Sequence, residues 1–476
     1  MATYISPISN SDLADLYQKA IGSYKINPGD FDRYGVKRGL RNPDGSGVMA
    51  GLTRVCSVDG YFIEDGERVP REGRLIYRGI DLTDIVEGCT KEKRFGFEEV
   101  AWLLLFGSMP SRHQLEGFVE LISRCRNLPD DFIEDMIMKA PSPDIMNKLA
   151  RSVMALYSYD ANPDDTSIEN VLRQSIQLIA QLPTIMSYAY QVKRRTYYHK
   201  SMYIHPLKPE HCTAETVLRS IRSDRLFTPD EARLLDLCLI LHAEHGGGNN
   251  STFAARVLTS SGTDTYSAMA AGIGSLKGPL HGGANIKVSA MVRTMMEEIE
   301  DYTDEGQVAD YLEKLLNRQA GDRSGLIYGM GHAVYTLSDP RAIILKKNAE
   351  KFAADSGHLD ELKLLKLIEA LTPQVFSKVK GVKRPICANV DLYSGFVYKM
   401  LNIPEDLYTP LFTVARIAGW AAHRIEELLT GGRIIRPAYK SVTIPRDYVP
   451  LDERTDDFEG STQEYVPTEE RIAAGD

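Results

Sequence analysis

Apolar residues recur every three or four positions through most of this 476-residue chain. The pattern is clearest in the segments VADYLEKLLNRQ, DELKLLKLIEAL and LFTVARIAGWAAHRIEELL, and it also occurs near the start in DLADLYQKAIG. In a helix, this spacing places the apolar side chains on one face, where neighbouring helices can bury them. The sequence therefore predicts a mainly α-helical protein.

Local signals predict where some helices begin and end. The run Thr228-Pro229-Asp230-Glu231 combines an N-cap residue, a proline in the first turn and a capping-box glutamate, so a helix is expected to begin there. Gly431-Gly432 predicts the end of the last long helix. Pro183 interrupts the periodic run TSIENVLRQSIQLIAQLPTIMSYAYQ and predicts a kink or a helix boundary.

Strand signals are few. In LTRVCSVDGYFIEDGERVPREGRLIYRG (52–79), β-forming residues alternate around two Asp-Gly turn signals, which predicts a small N-terminal β-ribbon. The segment RIIRPAYKSVTI (433–444) is a further candidate strand. The stretch from about Asp447 onward is acidic and lacks periodicity, and it is expected to form an extended arm.

Composition narrows the class of protein. With 43% hydrophobic and 25% charged residues, the chain resembles ordinary soluble globular proteins. Its formal charge of -9 opposes binding to a polyphosphate strand, so nucleic acid is not an expected partner. No stretch approaches the roughly 18 apolar residues of a membrane span. The first residues, MATYISPISNSDLADLYQKA, lack the apolar core of a secretory signal and carry acidic residues that disfavour a transit peptide.

The six cysteines form no CxxC pair and no dense cluster, so neither a zinc site nor a disulfide framework is expected. Reduced thiols predict a cytoplasmic location. The pair in HAEH, His242 and His245, is spaced i and i+3, whereas the helical zinc motif HExxH uses i and i+4, so no metal is expected.

Three histidines lie beside glycine: His245 in LHAEHGGGNNSTF, His281 in KGPLHGGAN and His332 in YGMGHAVYTLSDPR. Glycine permits tight turns and close approach of a ligand to the backbone, which a core histidine does not need. Each histidine alone could equally well be structural. The three together favour a site, because imidazole can donate, accept or carry a proton near neutral pH.

Asp391 in CANVDLYSG follows the basic run KVKGVKRP. A helix N-cap beside a solvated loop is one interpretation; a general base beside an anion-binding loop that includes Lys383 is the other. Arg341, Arg416 and Arg436 are candidate carboxylate binders, since a guanidinium group matches a carboxylate in two parallel hydrogen bonds, although a lone arginine carries little weight.

Six segments, in this order, resemble successive blocks of citrate synthases: LHAEHGGGNNSTFAARV, GSLKGPLHGGAN, GMGHAVYTLSDPRA, ANVDLYSG, ARIAGWAAHRIEE and IIRPAYK, with YRGIDL near the N-terminus. The resemblance implies a mainly α homodimer of a large helical domain and a smaller mobile one. Residues 1–283 and 402–476, the latter including the C-terminal arm, would form the large domain, and residues 284–401 the small one.

The resemblance also implies roles for individual residues. His281, His332 and Asp391 would be catalytic, and His245, Arg341, Arg416 and Arg436 would bind oxaloacetate, with Arg436 supplied by the neighbouring subunit. Asn389 and Lys383 would lie near CoA. The implied reaction is the condensation of acetyl-CoA with oxaloacetate followed by hydrolysis of citryl-CoA, an acyl transfer that needs no metal or redox cofactor.

Three alternatives remain open at the level of sequence. A 2-methylcitrate synthase would use propionyl-CoA with the same catalytic groups. A non-catalytic family member would bind ligands without turnover, although such proteins usually lose a catalytic residue, and all the expected ones are present here. A citryl-CoA-cleaving lyase would release acetyl-CoA from citryl-CoA.

Overall fold

The computed structural model describes residues 17, 20, 24, 26–42, 45–65, 67–381, 385–443 and 447–454. By its contacts the chain divides into two compact units. The first combines Met1–Val48 with Arg436–Asp476, and the second is Met49–Ile435. The predicted division at residues 283 and 401 falls inside the second unit and stays a prediction, as does the helical segment DLADLYQKAIG, most of which lies outside the described residues.

The first unit contains the short helix α1 (Pro28–Arg33), which begins with an Asn27 cap, and 3-10 turns at Arg38–Leu40 and Leu451–Glu453. A β-bridge joins Arg41 to Gly47. The ammonium group of Lys440 lies 5.9 Å from the Tyr34 ring centre, a cation–π contact between the two parts of this unit.

The second unit is mostly helical, which confirms the predicted fold class. Its helices are α2 (Leu82–Glu92), α3 (Phe97–Phe106), α4 (Arg112–Cys125), α5 (Ile145–Leu156), α6 (Ile168–Tyr197), α7 (Thr213–Ile221), α8 (Pro229–His242), α9 (Asn250–Ser260), α10 (Thr265–Lys277), α11 (Ala284–Glu298), α12 (Glu305–Leu316), α13 (Pro340–Ser356), α14 (Leu359–Lys380), α15 (Val390–Met400) and α16 (Tyr408–Leu429). A π-helical segment, Ile133–Met138, and 3-10 turns at Tyr157–Tyr159 and Glu405–Leu407 complete the set.

Helix α16 lies at the centre of this unit. Every residue from Tyr408 to Ile425 is buried, and the helix contacts α3, α6, α8, α9 and α10. Gly272 of α10 permits a close approach to α16, because a Cβ atom there would lie 3.0 Å from the Trp420 ring. A helix that is apolar on all sides is expected to be buried in this way.

Two predicted helix boundaries are confirmed. Of the two alternatives at Pro183, the boundary is wrong and the kink stays a prediction. Helix α8 begins at Pro229 with the predicted Thr228 capping box, and α16 ends two residues before Gly431, whose φ is +63°. Pro183, however, lies inside α6, which runs unbroken through it. Proline removes one backbone donor, but burial of nearly all of the middle of α6 outweighs that local cost.

The predicted β-ribbon is present as an antiparallel sheet in the order β1 (Cys56–Glu64), β2 (Glu67–Tyr77), β3 (Ile80–Asp81). The Asp65-Gly66 signal lies at the connection from β1 to β2. The Asp59-Gly60 signal is not a turn: it falls inside β1, where the pairing register shifts. Between Asp59 and Tyr61 the partner on β2 moves from Arg74 to Pro70, so the strand pairing is irregular at Gly60.

The candidate strand at 433–444 is wrong for its described residues, 433–443, which form no strand. Most of them are exposed, and the Ile435 amide donates to the Ser260 hydroxyl at 3.1 Å, whereas a strand would need a neighbouring backbone as its partner.

None of the helices in the described part of the chain combines the length and the hydrophobicity that crossing a bilayer requires.

Candidate active site

His245, His281 and Asp391 lie at or near the starts of helices in the second unit, whereas His332 lies in the loop that leads to α13. His245 precedes α9, His281 precedes α11, His332 precedes α13, and Asp391 is in the first turn of α15. The rings of His245 and His332 are 5.1 Å apart, centre to centre. Backbone donors at helix starts and the positive end of the helix dipole favour anionic ligands.

The geometry around His332 determines which ring nitrogen carries its proton. Its Nδ1 accepts hydrogen bonds from the backbone N–H groups of Val334, at 3.1 Å, and Tyr335, at 3.0 Å. An acceptor nitrogen has no proton, so the neutral ring carries its proton on Nε2. The Tyr335 ring stacks on His332 with centres 4.6 Å apart and fixes the plane of the imidazole. His332 is therefore oriented as a hydrogen-bond donor.

His281 has the opposite tautomer. The Ser251 amide donates to its Nε2 at 3.3 Å, which places the proton of the neutral ring on Nδ1. The Ser251 hydroxyl, 3.1 Å from the same nitrogen, accepts from the indole N–H of Trp420 and, with this tautomer, can donate to Nε2. Burial lowers the pKa of His281 to about 4, with a further contribution from the charge of Arg416, so the ring is neutral at physiological pH.

His245 is also held neutral, because burial lowers its pKa well below the usual value and the charge of Arg341 adds to the effect. Its Nε2 is buried and has no hydrogen-bond partner among the described residues. A buried nitrogen of this kind loses free energy unless a partner is supplied. A bound ligand would supply one.

Two buried guanidinium groups provide positive charge. Arg341, which is 4% exposed, pairs with the carboxylate of Asp339. Arg416, which is 2% exposed, donates from Nε to the carbonyl oxygen of His242 at 2.6 Å, and no described carboxylate forms an ion pair with it. The charge of the buried Glu244 carboxylate stabilises the Arg416 cation, and the two Nη groups, which donate to no described acceptor, favour an anionic ligand.

Asp391 is partly buried and unpaired. Its backbone N–H donates to the Asn389 side chain at 3.0 Å, while no described residue donates a hydrogen bond to its carboxylate. Burial raises the pKa of the Asp391 carboxyl to about 6, against the opposing charge of Arg341. A carboxylate with this pKa accepts a proton more readily than an ordinary aspartate and is still ionised at neutral pH.

Comparison with known proteins identifies the family. The sequence profile described as "Citrate synthase, C-terminal domain" matches residues 44–438. The chain belongs to the citrate synthase family. It is 34% identical over 416 residues to a citrate synthase of Synechocystis sp., covering 86% of this chain and 93% of that protein. It is 33% identical over 435 residues to 2-methylcitrate synthase 1 of Corynebacterium glutamicum, covering 88% and 99%.

A solved citrate synthase structure has the same fold. The enzyme from Thermoplasma acidophilum, a ternary complex with carboxymethyl coenzyme A and oxaloacetate, superimposes with a TM-score of 0.68 at 27% identity, covering 85% of this chain and 97% of that one. The family resemblance predicted from the six sequence blocks is thus confirmed, together with the helical fold and its small N-terminal sheet.

Of the three remaining predicted site residues, only Asn389 is a described residue of the second unit. Asn389 caps α15 and donates from Nδ2 to the carbonyl oxygen of Gly331 at 2.8 Å, so it joins the His332 and Asp391 segments. Arg436 is exposed and belongs to the first unit. Lys383 lies outside the described residues. The roles assigned to these three residues stay predictions.

The structure adds residues around this cluster that the sequence did not single out. Asp339 binds Arg341, Ser251 orients His281, and Tyr335 stacks on His332. Next to His245 in the chain, the buried Glu244 carboxylate lies 3.1 Å from Nε2 of His423. Nδ1 of His423 accepts a hydrogen bond from Arg256, and both of these residues are also buried. Of these residues, only Asp339 could have been found from the sequence, because an aspartate directly before a proline is a typical N-cap pattern.

An apolar cavity of about 240 Å³ adjoins His332. Its lining includes Leu316, Ile327, Met330, Tyr335, Phe376 and Ile386. An apolar cavity beside a polar, partly unpaired cluster is typical of a binding site for a small molecule with an apolar portion.

Proposed function

We propose that this chain condenses acetyl-CoA with oxaloacetate and hydrolyses the resulting citryl-CoA to citrate and free CoA. One observation carries the proposal. Two buried guanidinium groups lie near three imidazoles of fixed position and a carboxyl group whose pKa is about 6. That combination suits a dianionic ketone and a weak carbon acid, which are the two reactants of this condensation.

Oxaloacetate would be held by charge and by one buried donor. Arg341 and Arg416 would bind its carboxylates, and the unpartnered Nε2 of His245 would complete the contacts. The Nε2–H of His332 would donate to the ketone oxygen and make the carbonyl carbon more electrophilic. In the proposed dimer, Arg436 of the neighbouring subunit would add a third guanidinium group.

Asp391 would remove a proton from the methyl group of the thioester. That proton is very weakly acidic, so the enolate oxygen must be stabilised as it forms. The Nδ1–H of His281 would donate to that oxygen, and the enol carbon would then attack the ketone. Water would hydrolyse the citryl-CoA thioester. The condensation steps use side chains of this protein, and we propose that no metal or redox cofactor takes part.

The apolar cavity beside His332 would receive the thioester end of acyl-CoA, with Asn389 and Lys383 near the CoA portion.

A second candidate function follows from the 2-methylcitrate synthase relative, which is 33% identical over 99% of its length. One added methylene changes binding by only about 1 to 3 kcal/mol in an apolar pocket, so propionyl-CoA is the alternative substrate.

We propose a homodimer in the cytoplasm, with residues 284–401 as a smaller domain that closes over the substrates. Half-buried apolar residues on α9 and α10, among them Phe253, Val257, Leu258, Ala270 and Ala271, support a subunit interface. All six cysteines are free thiols, which supports a reducing compartment. Light scattering that reports an active monomer would contradict the dimer.

The test of function is release of free CoA, followed with a thiol reagent, from oxaloacetate plus acetyl-CoA and, in parallel, oxaloacetate plus propionyl-CoA. We expect a higher kcat/KM with acetyl-CoA. Equal or greater use of propionyl-CoA would instead establish the methylcitrate reaction. Absence of CoA release with both substrates would contradict the proposed function.

A further inference from the structure

Two consecutive peptide groups follow His332, and each is hydrogen-bonded at both ends. Their N–H groups, which belong to Val334 and Tyr335, donate to Nδ1 of His332. Their carbonyl oxygens, which belong to Ala333 and Val334, both accept from Nη2 of Arg68, at 3.4 and 3.1 Å. A trans peptide is planar with its C=O and N–H pointing in opposite directions. Arg68 and His332 therefore lie at the two ends of the same pair of peptide groups.

The guanidinium group of Arg68 affects those peptides in a defined direction. It is a permanent cation that can only donate hydrogen bonds. A cation at a carbonyl oxygen draws electron density towards that end, which makes the N–H at the other end a stronger donor. The stronger donors hold Nδ1 of His332 as an acceptor, and they keep the proton of the ring on Nε2.

Arg68 is itself held in place by the β-ribbon. It lies on β2, and its guanidinium carbon is 3.8 Å from the centre of the Tyr61 ring on β1. This cation–π contact orients the planar group. Arg68 is only partly buried, so replacing it removes charge and hydrogen bonds without opening a core cavity.

The ribbon and the His332 segment are in direct backbone contact. A Cβ atom at Gly60 would lie 2.6 Å from the carbonyl oxygen of Val334, closer than packed atoms tolerate. The Gly73 amide donates to the Ser338 hydroxyl at 3.0 Å, and the Tyr335 hydroxyl donates to the carbonyl oxygen of Arg74 at 3.4 Å. These contacts fix the distance between Arg68 and the two peptides.

We propose that Arg68 is a positioning residue for catalysis. Through the peptide groups between residues 333 and 335, it holds His332 so that Nε2–H faces the ketone of oxaloacetate. Arg68 does not touch the substrate; it acts through His332. The inference rests on the proposed function, because it assigns Arg68 a part in polarising that ketone.

The test compares Arg68→Ala, Arg68→Lys and the matched control Arg71→Ala. Arg71 lies on the same strand and forms an ion pair with Asp59 at 3.0 Å. The readouts are kcat, the KM for oxaloacetate, and the infrared stretching frequency of the ketone carbonyl in isotope-labelled, bound oxaloacetate. That frequency reports polarisation of the ketone, which a general loss of stability does not change.

For Arg68→Ala we expect kcat to fall roughly tenfold to a hundredfold, while KM changes by less than about threefold. The bound carbonyl frequency should move towards that of free oxaloacetate. Arg68→Lys keeps a cationic donor, so its kcat and its bound carbonyl frequency should lie between those of Arg68→Ala and the wild type. Arg71→Ala should match the wild type in both. Circular dichroism checks folding, and Arg68→Lys serves as the test variant if the alanine variant does not fold.

Two results would overturn the inference: a wild-type kcat in Arg68→Ala, or a lower kcat with an unchanged carbonyl frequency. The frequency is read from bound oxaloacetate without turnover. It therefore tests the role of Arg68 even if the wild-type protein releases no CoA, a result that would contradict the proposed function alone.

Discussion

Asp339 binds Arg341 through two parallel hydrogen bonds, from Nε to Oδ1 at 3.0 Å and from Nη2 to Oδ2 at 2.8 Å. The same carboxylate caps α13 and accepts from the Val390 amide at 3.2 Å, at the start of α15. One buried carboxylate thus fixes a proposed oxaloacetate ligand relative to the helix that carries Asp391.

Asp339→Asn is expected to weaken oxaloacetate binding and to destabilise the protein. The variant leaves the buried Arg341 cation without its counter-ion, a change that typically costs about 3 to 5 kcal/mol. We expect a lower melting temperature and a higher KM for oxaloacetate. Asp322→Asn is the control, because Asp322 pairs with Lys287 at an exposed site, where such pairs contribute little. Equal effects in both variants would contradict this role for Asp339.

The pH dependence of kcat/KM should report Asp391. As a base, Asp391 must be ionised, and burial raises its pKa to about 6. Below about pH 6, kcat/KM is therefore expected to fall about tenfold per pH unit, with the slope of a single proton. His281 does not titrate in this range, since its pKa is about 4. A profile that stays flat down to about pH 5 would exclude Asp391 as the base.

Asp391→Asn should be inactive but more stable than the wild type at neutral pH. The folded pKa of about 6 exceeds the unfolded value of about 3.9, so between these values the folded state keeps a proton that the unfolded state has lost. Stability therefore falls as pH rises through this range. Partial exposure of the carboxyl reduces the cost, and we expect roughly 1 to 2 kcal/mol.

The measurement for Asp391→Asn is the melting temperature of variant and wild type at about pH 7.5 and about pH 4. The variant should melt higher at the first pH, and the two curves should converge at the second. A difference that is independent of pH would show that the ionisation of Asp391 is not its source.

His423→Ala should be strongly destabilising. His423 is fully buried, donates from Nε2 to Glu244 and accepts at Nδ1 from Arg256. Its removal leaves the buried Glu244 carboxylate without its hydrogen-bond partner, whereas Arg256 keeps its ion pairs with Glu426 and Glu427. Unpaired buried charges cost several kcal/mol. His113→Ala, an exposed histidine on α4, is the matched control and should change the melting temperature little. Similar melting temperatures for the two variants would contradict this role.

The helices and the segments that hold the histidine cluster could be predicted because their signals are local. Helical periodicity and the Thr228 capping box are contained in a few adjacent residues, and glycine beside His245, His281 and His332 identifies segments that need close backbone approach. In these segments the local structure is determined mainly by residues adjacent in sequence, so it can be predicted without knowing the rest of the fold.

The predictions that failed depended on distant residues. Pro183 gives a strong local signal against a helix, but burial against other helices overrides it. Asp59-Gly60 has the local signature of a turn. The glycine is instead explained by Val334, far along the chain, whose carbonyl oxygen leaves no room for a Cβ atom at position 60. The roles of Asp339 and His423 arise from partners that only the folded chain brings together.

The central claim is that this site forms a carbon–carbon bond between the methyl group of acetyl-CoA and the ketone of oxaloacetate. Its most direct test is product analysis by NMR, with acetyl-CoA isotope-labelled at the methyl carbon and unlabelled oxaloacetate. The wild type should produce citrate labelled at one methylene carbon, and Asp391→Ala, folded by circular dichroism, should produce none. Unreacted label with the wild type, or equal labelling of citrate by Asp391→Ala, would contradict the account.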